Sequence, residues 1–146
     1  MTKIKTIVPL LLLAGWLPMT GCGDSHPFPL AQAEGTVLCD GNPVAFATVY
    51  FVPVEEGKSA IVGKSGQATT KQDGTFRIST YQPGDGAVIA RHTVRVGTSL
   101  STDPSCPAEL SPMKVVQTVD VIKGKNLFTI NVPKRNSRKK PVIEEN

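Results

Sequence analysis

Asp40-Gly-Asn-Pro-Val-Ala-Phe-Ala-Thr-Val-Tyr-Phe-Val-Pro53 and, further on, Asp73-Gly-Thr-Phe-Arg-Ile78 decide how this chain folds. Each stretch opens with Asp-Gly, a pair that tolerates the positive φ angles of tight turns between antiparallel strands. Each then alternates. Ala47, Val49 and Phe51 fall on one side of an extended chain and Thr48 and Tyr50 on the other. That period of two suits a strand and not a helix. Phe76 and Ile78 stand in the same way against Thr75, Arg77 and Ser79.

The alternation recurs on the C-terminal side. Val94 and Val96 oppose Thr93 and Arg95, and Val119 and Val121 oppose Thr118 and Asp120. Phe128, Ile130 and Val132 oppose Thr129 and Asn131. Seven strands are predicted, near 34–38, 46–54, 65–71, 75–80, 90–98, 116–122 and 126–132. A slip of one residue would turn each charged face inward, so the register is well specified. Asp40-Gly41, Asp73-Gly74, Gly84-Asp85-Gly86 and Gly124 supply the turns, and no segment sustains a helical period. The expectation is an all-β fold of two packed antiparallel sheets. With 40% hydrophobic and 5% aromatic residues, a small core is within reach and a large ligand cavity is not expected.

Residues 1–21 have the layout of a secretory signal: Lys3 and Lys5, then an apolar run from Ile7 to Trp16 interrupted by Pro9. A helix needs about 20 apolar residues to span a bilayer, so this run is too short for a permanent anchor. Thr20-Gly21-Cys22 resembles the lipobox of bacterial lipoproteins, with Met19 where that group usually has Leu. The resemblance implies cleavage before Cys22, a thioether-linked diacylglycerol on its sulfur and acylation of its new amine. Gly23, rather than Asp, follows the cysteine and favours the outer membrane over the inner. Residues 22–32 then read as a lipidated tether, 33–133 as the folded body and 134–146 as a basic disordered tail.

Gly35-Thr-Val37, the Asp40–Pro53 stretch and Asp73–Ile78 resemble the carboxypeptidase-regulatory-like domain, a transthyretin-like and broadly immunoglobulin-like β-sandwich. Thr80-Tyr-Gln-Pro-Gly-Asp-Gly-Ala87 and Val119-Asp-Val-Ile-Lys-Gly-Lys-Asn-Leu-Phe-Thr-Ile130 are similar to the version carried by small planctomycete lipoproteins. The resemblance implies a seven-stranded sandwich at the cell envelope without an established activity. His92, Cys39 and Cys106 depart from that pattern.

Few residues here suggest chemistry. In an oxidising compartment, with Cys22 consumed by lipid, Cys39 and Cys106 form one candidate disulfide. Two isolated thiols are the alternative, because sequence cannot bring their Cα atoms within bridging distance. Asp40, Gly41, Asp73, Gly74, Gly84, Asp85 and Gly86 read as turn formers rather than calcium ligands, since the 12-residue EF-hand loop and its closing Glu are missing. His92 alternates with Val94 and Val96 and is expected to point inward, while His26 falls in the tether. Two separate histidines do not make a zinc site.

A non-catalytic envelope module that is structural or binds another protein is therefore expected, with no cofactor and no metal. Carbohydrate or peptide binding at the cell surface, with Tyr50 and Tyr81 as the aromatic candidates, is the alternative. A hydrolase is disfavoured, because the C-terminal Tyr-Arg-Gly-Ser of transthyretin-like hydroxyisourate hydrolases is replaced by Pro-Val-Ile-Glu-Glu-Asn. Residues 22–133 hold 9 basic and 10 acidic side chains, so the positive balance comes from the tail. A neutral, exported body argues against nucleic acid. An envelope protein or polysaccharide and the membrane itself are the expected partners, and the tail is a candidate for anionic headgroups or acidic polymers.

Overall fold

A computed structural model describes residues 27–55, 62–97 and 110–134. The leader, Cys22, the segment holding Cys106 and the tail beyond Lys134 lie outside the described residues.

Nine strands form: β1 (Leu30–Cys39), β2 (Asn42–Pro43), β3 (Thr48–Pro53), β4 (Gly66–Thr69), β5 (Thr75–Arg77), β6 (Ala87–Val88), β7 (Arg91–Val96), β8 (Ser111–Asp120) and β9 (Lys125–Asn131). The described residues contain no helix. In one sheet β1 is central, pairing with β9 along one edge and with β6, β5 and β2 in succession along the other. The second sheet runs β4-β3-β7-β8. Gln67 and Ser79 exchange backbone hydrogen bonds and join β4 to the chain just after β5, so the sheets meet at one corner.

Several expectations are corrected. Seven of the strands were anticipated; β2 and β6, two residues each, carry no alternation by which they could be read. The pairing is not wholly antiparallel: β9 runs parallel to β1 from Gln32↔Lys125 to Leu38↔Asn131. Strand direction depends on how the intervening chain travels, which side-chain alternation does not encode. β1 begins at Leu30, so residues 30–32 belong to the sheet and not to the tether. β8 begins at Ser111, five residues before the strand predicted near 116–122. Its pairing with β7 shifts register around Arg95, and Met113 and Val115 are exposed, so the half-strand lacks a readable inward face.

The inward faces agree with the alternation. Ala47, Val49 and Phe51 from β3 and its approach, Ile78 beyond β5, Val94 and Val96 from β7, and Ile130 from β9 are fully buried. Phe51 lies at the centre, its ring 6.0 Å from Phe76 and 5.4 Å from Phe128 in tilted contacts that bridge the sheets. Such aromatic pairs add about 0.5–1.5 kcal/mol beyond the area they bury. Gly35 is required where β1 passes β9: a Cβ there would lie 2.0 Å from the Phe128 carbonyl oxygen.

Candidate functional site

The strand directions give the molecule two poles. Pro27, Phe28 and Pro29 lead into β1, and the Phe28 ring packs beside Gly63. The β8–β9 turn, residues 121–124, lies at this same pole, because Asn126 donates from Nδ2 to the Gln32 carbonyl at 3.0 Å. Arg91 and Asp120 pair there at 2.8 Å, and Lys125 meets Glu34 at 2.8 Å. The hydrogen bond from Lys125, with Arg77 nearby, holds the Glu34 carboxyl below its usual range. At the other pole lie the Asp40-Gly41 turn, Phe46 and Lys134, whose ammonium is 3.6 Å from Asp40. The parallel course of β9 therefore places Lys134 at the pole opposite Pro27.

Asp40, Gly41, Asp73 and Gly84 lie in turns and Gly74 in a bend, while Asp85 and Gly86 follow as irregular loop. Asp40 and Gly41 (φ 53° and 80°) close the β1–β2 hairpin, where Cys39 faces Asn42. Asp73 accepts at Oδ1 from the Thr75 hydroxyl at 2.6 Å and its N–H at 3.0 Å, which together hold its carboxyl below the usual range. Gly74 follows directly. The loop from Ser79 to Gly86 is braced more heavily. Asp85 takes the N–H of Thr80 at Oδ1 and those of Tyr81 and Gln82 at Oδ2, at 2.7–2.9 Å. Ser79 Oγ accepts from Gly84 N–H, and Thr80 donates to the Gly86 carbonyl at 2.7 Å. Gly86 has φ 103°, and a Cβ there would sit 2.0 Å from the Ala31 carbonyl oxygen. These carboxylates hold backbone N–H groups. Among the described residues no three His, Cys, Asp or Glu side chains gather as metal ligands.

His92 is fully buried and its Nε2 lies 2.8 Å from the Val88 carbonyl, which assigns the proton to that nitrogen. Nδ1 is buried without a hydrogen bond, and the ring leans on Phe51 at 5.8 Å. Burial pushes the imidazole pKa below its ordinary value, against the opposing effect of the Val88 and Phe51 backbone groups. An imidazole enclosed in this way cannot reach a substrate.

Cys39 is fully buried and disulfide-bonded. The remaining cysteines, Cys22 and Cys106, lie outside the described residues.

The braced loop also forms one wall of a shallow cleft of about 370 Å³, lined by Lys64, Ser65, Gln67, Tyr81 and Gln82 among others. Lys64 stands over the Tyr81 ring with its Nζ 5.4 Å from the centroid. Tyr81 is an aromatic candidate from sequence, but neither Lys64 nor Gln67 carries a sequence signal that would bring it to Tyr81. Those residues precede and lie within β4, and the Gln67–Ser79 junction joins that segment to the loop. Tyr50, the other aromatic candidate, lies on β3 opposite Arg95 and Gln67, away from the core-facing side.

No protein-family description, curated protein or solved structure matches this chain. No helix among the described residues is long and apolar enough to cross a membrane.

Proposed function

We propose that this chain is a cell-envelope lipoprotein whose body is a non-catalytic, transthyretin-like β-sandwich serving as a structural or protein-interaction module. The observation that carries the reading is the spacing between anchor and fold. Thr20-Gly21-Cys22 follows the apolar run, and Pro27, which leads into β1, lies five residues after that cysteine. Fully extended, five residues reach about 18 Å, so a lipid on Cys22 would hold the body close against the bilayer. Two or more acyl chains make such attachment stable, where one gives only reversible binding.

The non-catalytic half is supported by how polar side chains are used. Asp73, Asp85, Thr80 and Asn126 are bonded to the backbone, and His92 is sealed in the core. Lipid on Cys22 also leaves Cys106 as the intrachain partner for Cys39. Gly23 favours the outer membrane. Intact mass spectrometry of the protein from its native membrane tests the reading. A chain starting at Cys22 with added fatty mass is expected, and Cys22→Ser should abolish both cleavage and lipid. A chain retaining residues 1–21 without fatty modification would overturn it.

The cleft beside Tyr81 supports a second reading, a carbohydrate- or peptide-binding role. An aromatic face with amides and hydroxyls around it is suited to a polar ligand. Screening against glycan and peptide arrays separates the two: binding lost on Tyr81→Ala would favour the second.

A further inference from the structure

We propose that the β8–β9 turn is a membrane-contact point, at which Ile122 enters the interface of an anionic phospholipid surface and Lys123 and Lys125 face its headgroups. The inference rests on the lipid-anchored reading above.

Ile122 is 64% exposed, beside the buried Val121. A single exposed isoleucine is ordinary; the manner in which this one is held is not. Asn126, only 7% exposed, accepts from Ile122 N–H at 3.0 Å and donates to the Ile122 carbonyl at 2.8 Å. The same amide donates to Gln32 on β1. A buried side chain thus fixes both backbone polar groups of an apolar residue whose side chain faces outward. The turn is preorganised, and little freedom remains to be lost on contact.

Position supplies the occupant. The amide that clamps Ile122 is tied to Gln32, close to where the chain enters from Pro27, and Cys22 lies five residues before that. A lipidated Cys22 therefore limits how far this pole can stand from the bilayer. Charge agrees with an anionic surface: Lys123 and Lys125 flank the turn, Lys125 shared with Glu34, while Arg91 and Asp120 offset one another. Basic side chains close to such a surface are attracted to it, and salt weakens the attraction.

The test uses the full chain produced with its own leader and purified from membranes. Trp16 is the chain's one tryptophan and precedes the cleavage point, so Ile122→Trp gives the processed protein a sole indole. In vesicles of brominated phosphatidylcholine with phosphatidylglycerol, its emission should shift to the blue and fall by about half or more, since interfacial apolar groups sit roughly 5–10 Å deep. Phe46→Trp, at the far pole, should show neither effect. Adding Lys123→Gln and Lys125→Gln to the Ile122→Trp chain should reduce the part of the quenching that depends on phosphatidylglycerol. Carbene footprinting of the unsubstituted protein should find Ile122 shielded on vesicles and Phe46 unshielded. A vesicle-bound protein whose residue 122 is quenched or shielded no more than residue 46 overturns the contact while leaving the anchor standing. A protein that stays off the vesicles and retains residues 1–21 shows that the anchor itself has failed, and overturns the contact with it.

Discussion

His92, the second residue of β7, lies opposite Pro53 inside the core, with one nitrogen bonded to Val88 and the ring against Phe51. Its inward direction was legible from the step of two to Val94 and Val96. Its lack of a partner at Nδ1 was not, because that depends on which backbone groups the opposite sheet presents. The folded state holds this imidazole neutral to a lower pH than the unfolded chain does. The unfolded chain therefore binds the extra proton first. The stability associated with neutral His92 is full above about pH 6.5 and declines as the pH falls through the unfolded value toward the lower folded one. Urea unfolding from pH 7.5 to pH 5 should show a falling midpoint, and His92→Phe should flatten that segment. Glu34 and Asp73, whose carboxyls are held low, lose their contributions only at more acid pH, so the two windows separate.

Among the elements, the Ser79–Gly86 loop is the most strongly specified. Gly84-Asp85-Gly86 announces a turn, but not that one carboxylate gathers three consecutive N–H groups. That arrangement needs the loop to curl over its own aspartate after β5 has been set against β1. Asp85→Ala would leave those donors to whatever water reaches them. At roughly 1.5–3 kcal/mol for each hydrogen bond to a charged group, and with Gln82 exposed, a net loss of about 2–4 kcal/mol in chemical denaturation is expected. Asp85→Asn, which keeps one acceptor oxygen, should lose less. The alternating strands β3, β7 and β9 were readable because a buried and an exposed face differ in side-chain type. β2 and β6 were not, being too short to alternate, and the start of β8 was hidden because Met113 and Val115 lie outward.

At the scale of the whole molecule, the disulfide and the two poles depend on contacts far apart in sequence. Cys39 ends β1 at the pole away from the tether, and pairing with Cys106 would close a loop of about 68 residues. In the chain-entropy account such a loop stabilises by about 4 kcal/mol, less if the bridge is strained. Reduction should therefore lower the unfolding free energy by about 2–4 kcal/mol. Alkylation before reduction should label neither Cys39 nor Cys106; labelling of Cys106 in the unreduced folded protein would show the pairing to be wrong. Lys134 lies beside Asp40, a β9 length of seven residues, or roughly 20 Å, from the pole of Pro27.

Local side-chain chemistry was enough to determine the strand class, the inward faces and the turn positions, because alternation and Asp-Gly pairs act within a few residues. The candidate anchor is read the same way, from neighbouring residues alone. Only the tertiary structure decided that β9 runs parallel to β1, that Asn126 reaches Gln32 and that Lys64 stands over Tyr81. Each of those joins residues through the path of the intervening chain, and a path in space leaves no periodic mark on the residues that follow it.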